Sequence, residues 1–254
     1  MTGGRDTGRG MTGGRDTGRG VTGGRDTGRG VRAHVPDRDA YLRRWSELHG
    51  GYDVRRSRMV RGWLSMVHVV AAPLVRLGAG PGAVTLGGIV LGLTVPLVAL
   101  GAVDRPRLAL LCSVLIVVSG VADNLDGAVA VLTDRASRTG FVLDSVADRV
   151  GDLGYLVALW LVGAPGLLVA AGGAGTFLQE YTRARGAAAG MAEVGVVSIA
   201  ERPTRIIVAA LFLFGAGLFP DRAGQWATAG AVVWAAAHAI GFVQVALGVR
   251  RALR

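Results

Sequence analysis

The 21 residues from Ala83 to Val103 contain no charged side chain. Apolar blocks of this kind recur near 107–132, 139–162, 165–184, 203–219 and 226–248, each close to the ~20 residues a helix needs to cross a bilayer. Gly80-Pro81-Gly82 and Arg105-Pro106 break the runs, as such pairs do. Hydrophobicity arrives in blocks rather than with helical or strand periodicity, which marks a membrane protein. The expected fold is all-α: an integral membrane bundle of six transmembrane helices. Residues 58–78 mix Arg58, Arg61, His68 and Arg76 with Trp63, Leu64, Val67, Val69, Val70, Leu74 and Val75. They read as an interfacial amphipathic helix leading into the bundle.

Ahead of that helix the chain is polar and basic. Residues 1–30 are a ten-residue Gly-Thr-Arg unit written three times. They are too poor in apolar residues to build a core, or to serve as a signal peptide, and are expected to stay disordered. We therefore divide the chain into a disordered, basic tail over 1–57 and a membrane domain over 58–254.

The formal charge of +10 comes from arginine alone, since the sequence has no lysine. Nucleic acid is not expected as a partner: the repeats carry no aromatic residue to stack on bases, and aromatics are scarce throughout. Anionic lipid surfaces and phosphate-bearing substrates fit better. A single cysteine, Cys112, sits in an apolar run and forms no internal disulfide. Arginine also sets orientation. Arg135, Arg138, Arg183, Arg185, Arg202 and the C-terminal Arg250, Arg251 and Arg254 fall on the side of the tail, while the opposite loops hold only Arg105, Arg107 and Arg222. Both termini are then expected in the cytoplasm, in a multi-pass protein of the plasma membrane.

Acidic residues stand where two apolar blocks meet at the turn on that side. Asp123 and Asp126 are three apart, and Asp144 and Asp148 four apart, spacings that put each pair on one helix face. Carboxylates beside hydrocarbon are costly unless compensated. Hard divalent cations such as Mg²⁺ or Mn²⁺ compensate them naturally, and two such ions clamp a phosphoryl group during displacement. One aspartate of the set is free to act as general base. Paired intramembrane acids also line cation pathways and proton relays, so a transporter is the non-enzymatic alternative. Small residues beside the acids, Gly127, Ala130 and Gly140, let a bulky ligand or a neighbouring helix approach.

These residues resemble the signature of the CDP-alcohol phosphotransferase family. Asp123, Asp126, Gly127, Ala130, Gly140, Asp144 and Asp148 all fall in its register. The departure is Val131, where the family usually has an arginine that helps to hold the nucleotide's phosphates; Arg135 and Arg138 stand close by to compensate. The resemblance covers roughly residues 58–250. It implies a homodimeric enzyme that moves a phosphatidyl group from CDP-diacylglycerol to a small alcohol and releases CMP. It implies a two-metal site on Asp123, Asp126, Asp144 and Asp148, with Asp148 as the base. Gly127, Ala130, Arg135, Arg138 and Gly140 would shape the nucleotide site.

The segments Tyr181–Arg185 and Ala200–Arg205 are similar to stretches of actinobacterial phosphatidylinositol phosphate synthases, where basic residues bind the acceptor's phosphate. The carried-over positions are Arg183, Arg185, Arg202 and Arg205. Arginine forks suit phosphate in any case, and Pro203 opens a helix beside Arg202 and Arg205, where anions are favoured. The expected acceptor is a phosphorylated alcohol, inositol phosphate ahead of glycerol 3-phosphate. An inactive paralogue, marked by Val131, is a further alternative.

Overall fold

The computed structural model describes residues 35–48, 51–191 and 197–254. The chain separates into one unit ending at Arg32 and a second from Ala33 to Arg254, which holds all the described helices. The repeats over 1–30 lie outside the described residues.

The described residues are helical, with no strand among them. The helices are α1 (Arg38–Leu48), α2 (Arg58–Arg76), α3 (Pro81–Ala102), α4 (Leu108–Thr133), α5 (Arg138–Val162), α6 (Gly166–Ala188), α7 (Arg202–Leu218) and α8 (Ala223–Ala252). Sequence signals explain their starts. The Ser57 hydroxyl accepts the Val60 amide at the head of α2, and the Ser137 hydroxyl accepts the Gly140 amide at the head of α5, so each serine satisfies an amide that the helix leaves unpaired. Proline opens α3 and stands in the first turn of α7, where its missing N–H costs nothing. The α4 helix ends on Asp134 in the left-handed region, at φ 54°, which aspartate tolerates better than most residues.

Among the described residues, three helical segments are long and apolar enough to cross a membrane: Pro81–Ala102, Leu108–Thr133 and Pro220–Ala252. The other expected spans coincide with α5, α6 and α7, which carry the polar machinery. Asp144, Asp148, Arg149 and Asp152 lie on α5, Glu180 and Arg183 on α6, and Arg202 and Arg205 on α7.

The tail does not reach residue 57 without structure. Residues 38–48 form α1, and its Tyr41 is buried against α2 and α4 in a cluster with Leu64, Val67, Leu125 and Val129. Five charged residues are interleaved with five apolar ones on α1, which hid a few well-placed anchors from the sequence reading. A larger core joins α3, α4, α5, α7 and α8 around Ile116, Tyr155, Leu159, Leu213 and Trp234.

The close approach of α3 to α5 decides where the acids sit. Pro96 has no N–H, so the Gly92 carbonyl one turn earlier lacks its usual donor. Gly154 of α5 faces that carbonyl: a Cβ there would lie 3.0 Å from Gly92 O and 3.5 Å from Pro96 Cδ. A backbone carbonyl cannot rotate aside. Gly154→Leu is therefore expected to part α3 from α5, lowering stability by about 1–3 kcal/mol, the usual cost of overpacking. A thermal melt in detergent, read against wild type, checks this.

Candidate metal and phosphate site

The C-terminal part of α4 and the N-terminal half of α5 bring three of the four aspartates together. One oxygen from each of Asp123, Asp144 and Asp148 lies within 4.8 Å of the others. Asp126 stands one turn along α4 and is buried, and the Thr85 hydroxyl of α3 donates to its Oδ2 at 2.7 Å. Thr85 was not given a role by sequence reasoning, because nothing in the apolar run of α3 shows which of its faces meets α4. Hydrogen bonds of this kind fix a ligating carboxylate, and losing one typically costs 10–100-fold in metal affinity or activity. Thr85→Val, which keeps the shape and removes the donor, is expected to weaken Mn²⁺ binding by roughly that factor; a Mn²⁺ titration followed by electron paramagnetic resonance reads it directly.

Arg202 faces the cluster from α7. Its Nε lies 2.9 Å from Asp123 Oδ2 and its Nη1 2.7 Å from Asp148 Oδ1. Behind it the charges alternate. Arg205 is almost fully buried and its Nη1 contacts Asp152 Oδ2 at 2.6 Å. Arg149 lies 3.5 Å from both Asp148 and Asp152 and 3.3 Å from Glu180. Arg183 reaches Glu180 at 3.2 Å and Glu201 at 2.6 Å. Burial pushes the Glu201 carboxyl up, but the Ser198 amide and the Arg183 guanidinium outweigh it and hold the carboxyl below its ordinary range.

The structure therefore brings Arg183, Arg202 and Arg205 into one network with the acids. Arg185 is exposed and forms no ion pair with a described residue. Arg149 and Glu180 are members that sequence reasoning missed. The available signal was a charged residue inside each of two expected spans, which is rare unless it is paired or functional. Asp144 differs from its neighbours: it forms no ion pair, and its buried Oδ1 accepts no hydrogen bond among the described residues. Formally, seven carboxylates (Asp123, Asp126, Asp144, Asp148, Asp152, Glu180, Glu201) face four guanidiniums (Arg149, Arg183, Arg202, Arg205). The surplus is negative and lies at the aspartates, so the donor set fits hard divalent cations.

A cleft of about 640 Å³ opens beside the acids. Asp123, Asn124, Asp126, Gly127, Val131 and Asp144 line one side, and Tyr41, Trp45, Met59, Trp63 and Leu64 of α1 and α2 line the other. A Cβ on Gly127 would meet nothing within 4 Å, so the cleft is open over it. The other residues expected around a nucleotide do not line this cleft. Ala130 is half-buried on α4, while Arg135, Arg138 and Gly140 are exposed on the turn and first residues leading into α5. Arg135 lies over the start of α3, its Nη1 3.7 Å from where a Gly80 Cβ would stand.

Residues 79–245 match the CDP-alcohol phosphatidyltransferase family. The chain belongs to that family. Among its relatives, archaetidylinositol phosphate synthase of Aeropyrum pernix is 40% identical over 93 residues, which are 37% of this chain and 47% of that protein. Phosphatidylinositol phosphate synthase of Streptomyces avermitilis is 33% identical over 159 residues, 58% of this chain and 62% of that protein. The chain thus spans about half to three fifths of the curated relatives it matches. Phosphatidylinositol phosphate synthase of Mycobacterium tuberculosis, solved in complex with manganese and citrate, shares the fold with a TM-score of 0.59 at 24% identity over 72% of this chain and 88% of its own. The same enzyme with CDP-DAG bound aligns with a TM-score of 0.58 at 25% identity, covering 72% of this chain and 92% of its own.

Proposed function

We propose that this protein transfers a phosphatidyl group from CDP-diacylglycerol to a phosphorylated alcohol, inositol phosphate first, and releases CMP, with divalent metal as cofactor. One observation carries the reading: three carboxylates converge within 4.8 Å of one another, and one of them, Asp144, has neither an ion-pair partner nor a donor for its buried Oδ1 among the described residues. Asp123, Asp126, Asp144 and Asp148 would hold Mg²⁺ or Mn²⁺, which when bound supplies charge neutralisation to the phosphoryl group under attack. The donor assignment draws on the Mycobacterium enzyme solved with CDP-DAG. The acceptor assignment draws on the inositol phosphate synthases among the relatives.

In this reading Asp148 accepts the proton of the acceptor hydroxyl. The hydroxyl oxygen forms a new bond to the phosphorus that bears diacylglycerol, and the bond from that phosphorus to the CMP oxygen breaks. Arg202, already between Asp123 and Asp148, is the guanidinium nearest the reacting groups and takes the acceptor's phosphate. Arg183 and Arg205 support the same positive face, while Glu201, Glu180 and Asp152 hold them in place. We place the site at the cytoplasmic ends of six spans, α3 to α8, because arginine bias puts the α4–α5 turn on that side.

Purified protein with CDP-diacylglycerol and Mg²⁺ or Mn²⁺, offered inositol phosphate, glycerol 3-phosphate and free inositol in turn, tests the proposal by CMP release. Release is expected with metal present and fastest with inositol phosphate. CMP release that persists in excess chelator, or that prefers free inositol, would overturn the metal or the acceptor assignment respectively.

A further inference from the structure

The stretch that matches the family begins at residue 79, yet one side of the cleft is built by α1 and α2, which precede it. This side is fixed in place. Tyr41 is buried and its ring lies 5.5 Å from that of His68 on α2. The Asp37 carboxylate accepts the Ala40 amide at 2.7 Å and so caps α1. Arg44 reaches across to Asp134, at the end of α4, with 2.6 Å between Nη2 and Oδ1. Trp45 is half-buried over the same apolar cluster, and its indole stands edge-on to Tyr52, ring centres 6.2 Å apart at 88°.

We propose that α1 is part of the donor site and that the Trp45 indole forms the apolar face against which the donor's cytosine ring lies. This rests on the donor assignment above and says which part of the molecule meets which wall. The two sides of the cleft differ in chemistry: carboxylates on α4 and α5, aromatic and aliphatic groups on α1 and α2. A ligand filling it keeps its phosphates by the acids and turns a group that can pack on an indole face to Trp45. The donor offers two groups able to lie against an aromatic wall, the flat face of the cytosine ring and a pair of acyl chains. The outer surface of α1 decides between them. Arg38, Asp39, Arg43, Arg44 and Glu47 are all exposed there, and a helix so charged stands in water, where acyl chains do not lie. The cleft volume is in the range of small-molecule sites. Its floor suits a ring, with Gly127 open beneath it and Val131 apolar beside it. Bases stack on aromatic side chains whatever their sequence context.

The experiment is calorimetric titration of full-length, Mn²⁺-loaded protein in detergent with CDP, with inorganic pyrophosphate and with CDP-diacylglycerol. Trp45→Ala and Trp45→Leu are each expected to weaken CDP binding roughly tenfold, the scale of one lost stacking contact. Trp45→Phe should restore most of it. Pyrophosphate should bind all four proteins alike. The leucine variant keeps the apolar packing, so a loss shared by alanine and leucine reports the ring rather than the fold. Unchanged CDP affinity in both, or an equal loss for CDP and pyrophosphate, would overturn the inference. So would a loss confined to CDP-diacylglycerol, which would place the lipid end at α1 instead. Wild-type protein that binds no CDP at all would remove the donor assignment itself, an outcome distinct from any of these.

Discussion

Asp144→Asn is expected to reduce transfer to background while leaving the fold intact. Asp144 forms no ion pair with a described residue, and its neighbours in the cluster are the like-charged Asp123 and Asp148. Neutralising it removes repulsion and breaks nothing, so the thermal midpoint of the metal-free protein should hold or rise. The loss falls on cation binding. Charge stabilisation by a bound metal is worth several kcal/mol, and each 1.36 kcal/mol is a factor of ten, so CMP release should fall by roughly 10³-fold or more. Mn²⁺ titration and CMP release on the same preparation check both halves. Near-normal release, or a fall in the metal-free midpoint, would contradict the role given to this residue.

Asp148→Asn should fail differently. Arg202 stays tethered to Asp123 at 2.9 Å when the Asp148 charge is removed, so the guanidinium keeps its place. Binding of CDP-diacylglycerol is expected to persist. Turnover should fall by about 10²–10⁴-fold, the usual worth of a positioned base, with kcat lowered far more than the acceptor's KM. A variant that loses donor binding along with turnover would make Asp148 a metal ligand first and a base second; near-normal turnover would give the proton to another group.

The sequence carried the all-helical class and the aspartate register, because both are local. Asp123 and Asp126 share a helix face by spacing alone, and Asp144 and Asp148 do so again. What brings the two pairs together is the packing of α4 and α5 with α3, and that depends on the Gly92–Pro96–Gly154 contact, which no single-segment pattern displays. The separation of Asp126 from the other three, and its hold by Thr85, follow from the same packing. Arg183, Arg202 and Arg205 were legible as cations at the same end of the helices as the acids. Their partners were not: the Arg205–Asp152 pair joins residues 53 positions apart, so its burial was invisible until the helices were placed. The N-terminal wall was missed for a different reason. On α1 a few anchors, Tyr41 and Trp45 above all, are outnumbered by charged residues facing water, and average polarity concealed them.

On the function proposed above, the alternation of charge behind the aspartates constrains how this protein could acquire a new acceptor. Arg205 and Asp152 are almost wholly out of contact with solvent, and removing either one would leave its partner as an uncompensated charge, a change that typically costs about 3–5 kcal/mol. Arg149 and Glu180 extend the same dependence to two further helix positions. A neutral acceptor needs fewer cations, but no single arginine of this set can be deleted cheaply to suit it. Specificity here moves in matched steps, an acid with a base, so a library that varies these positions one at a time would sample mostly unstable proteins, and one that varies them in complementary pairs would not.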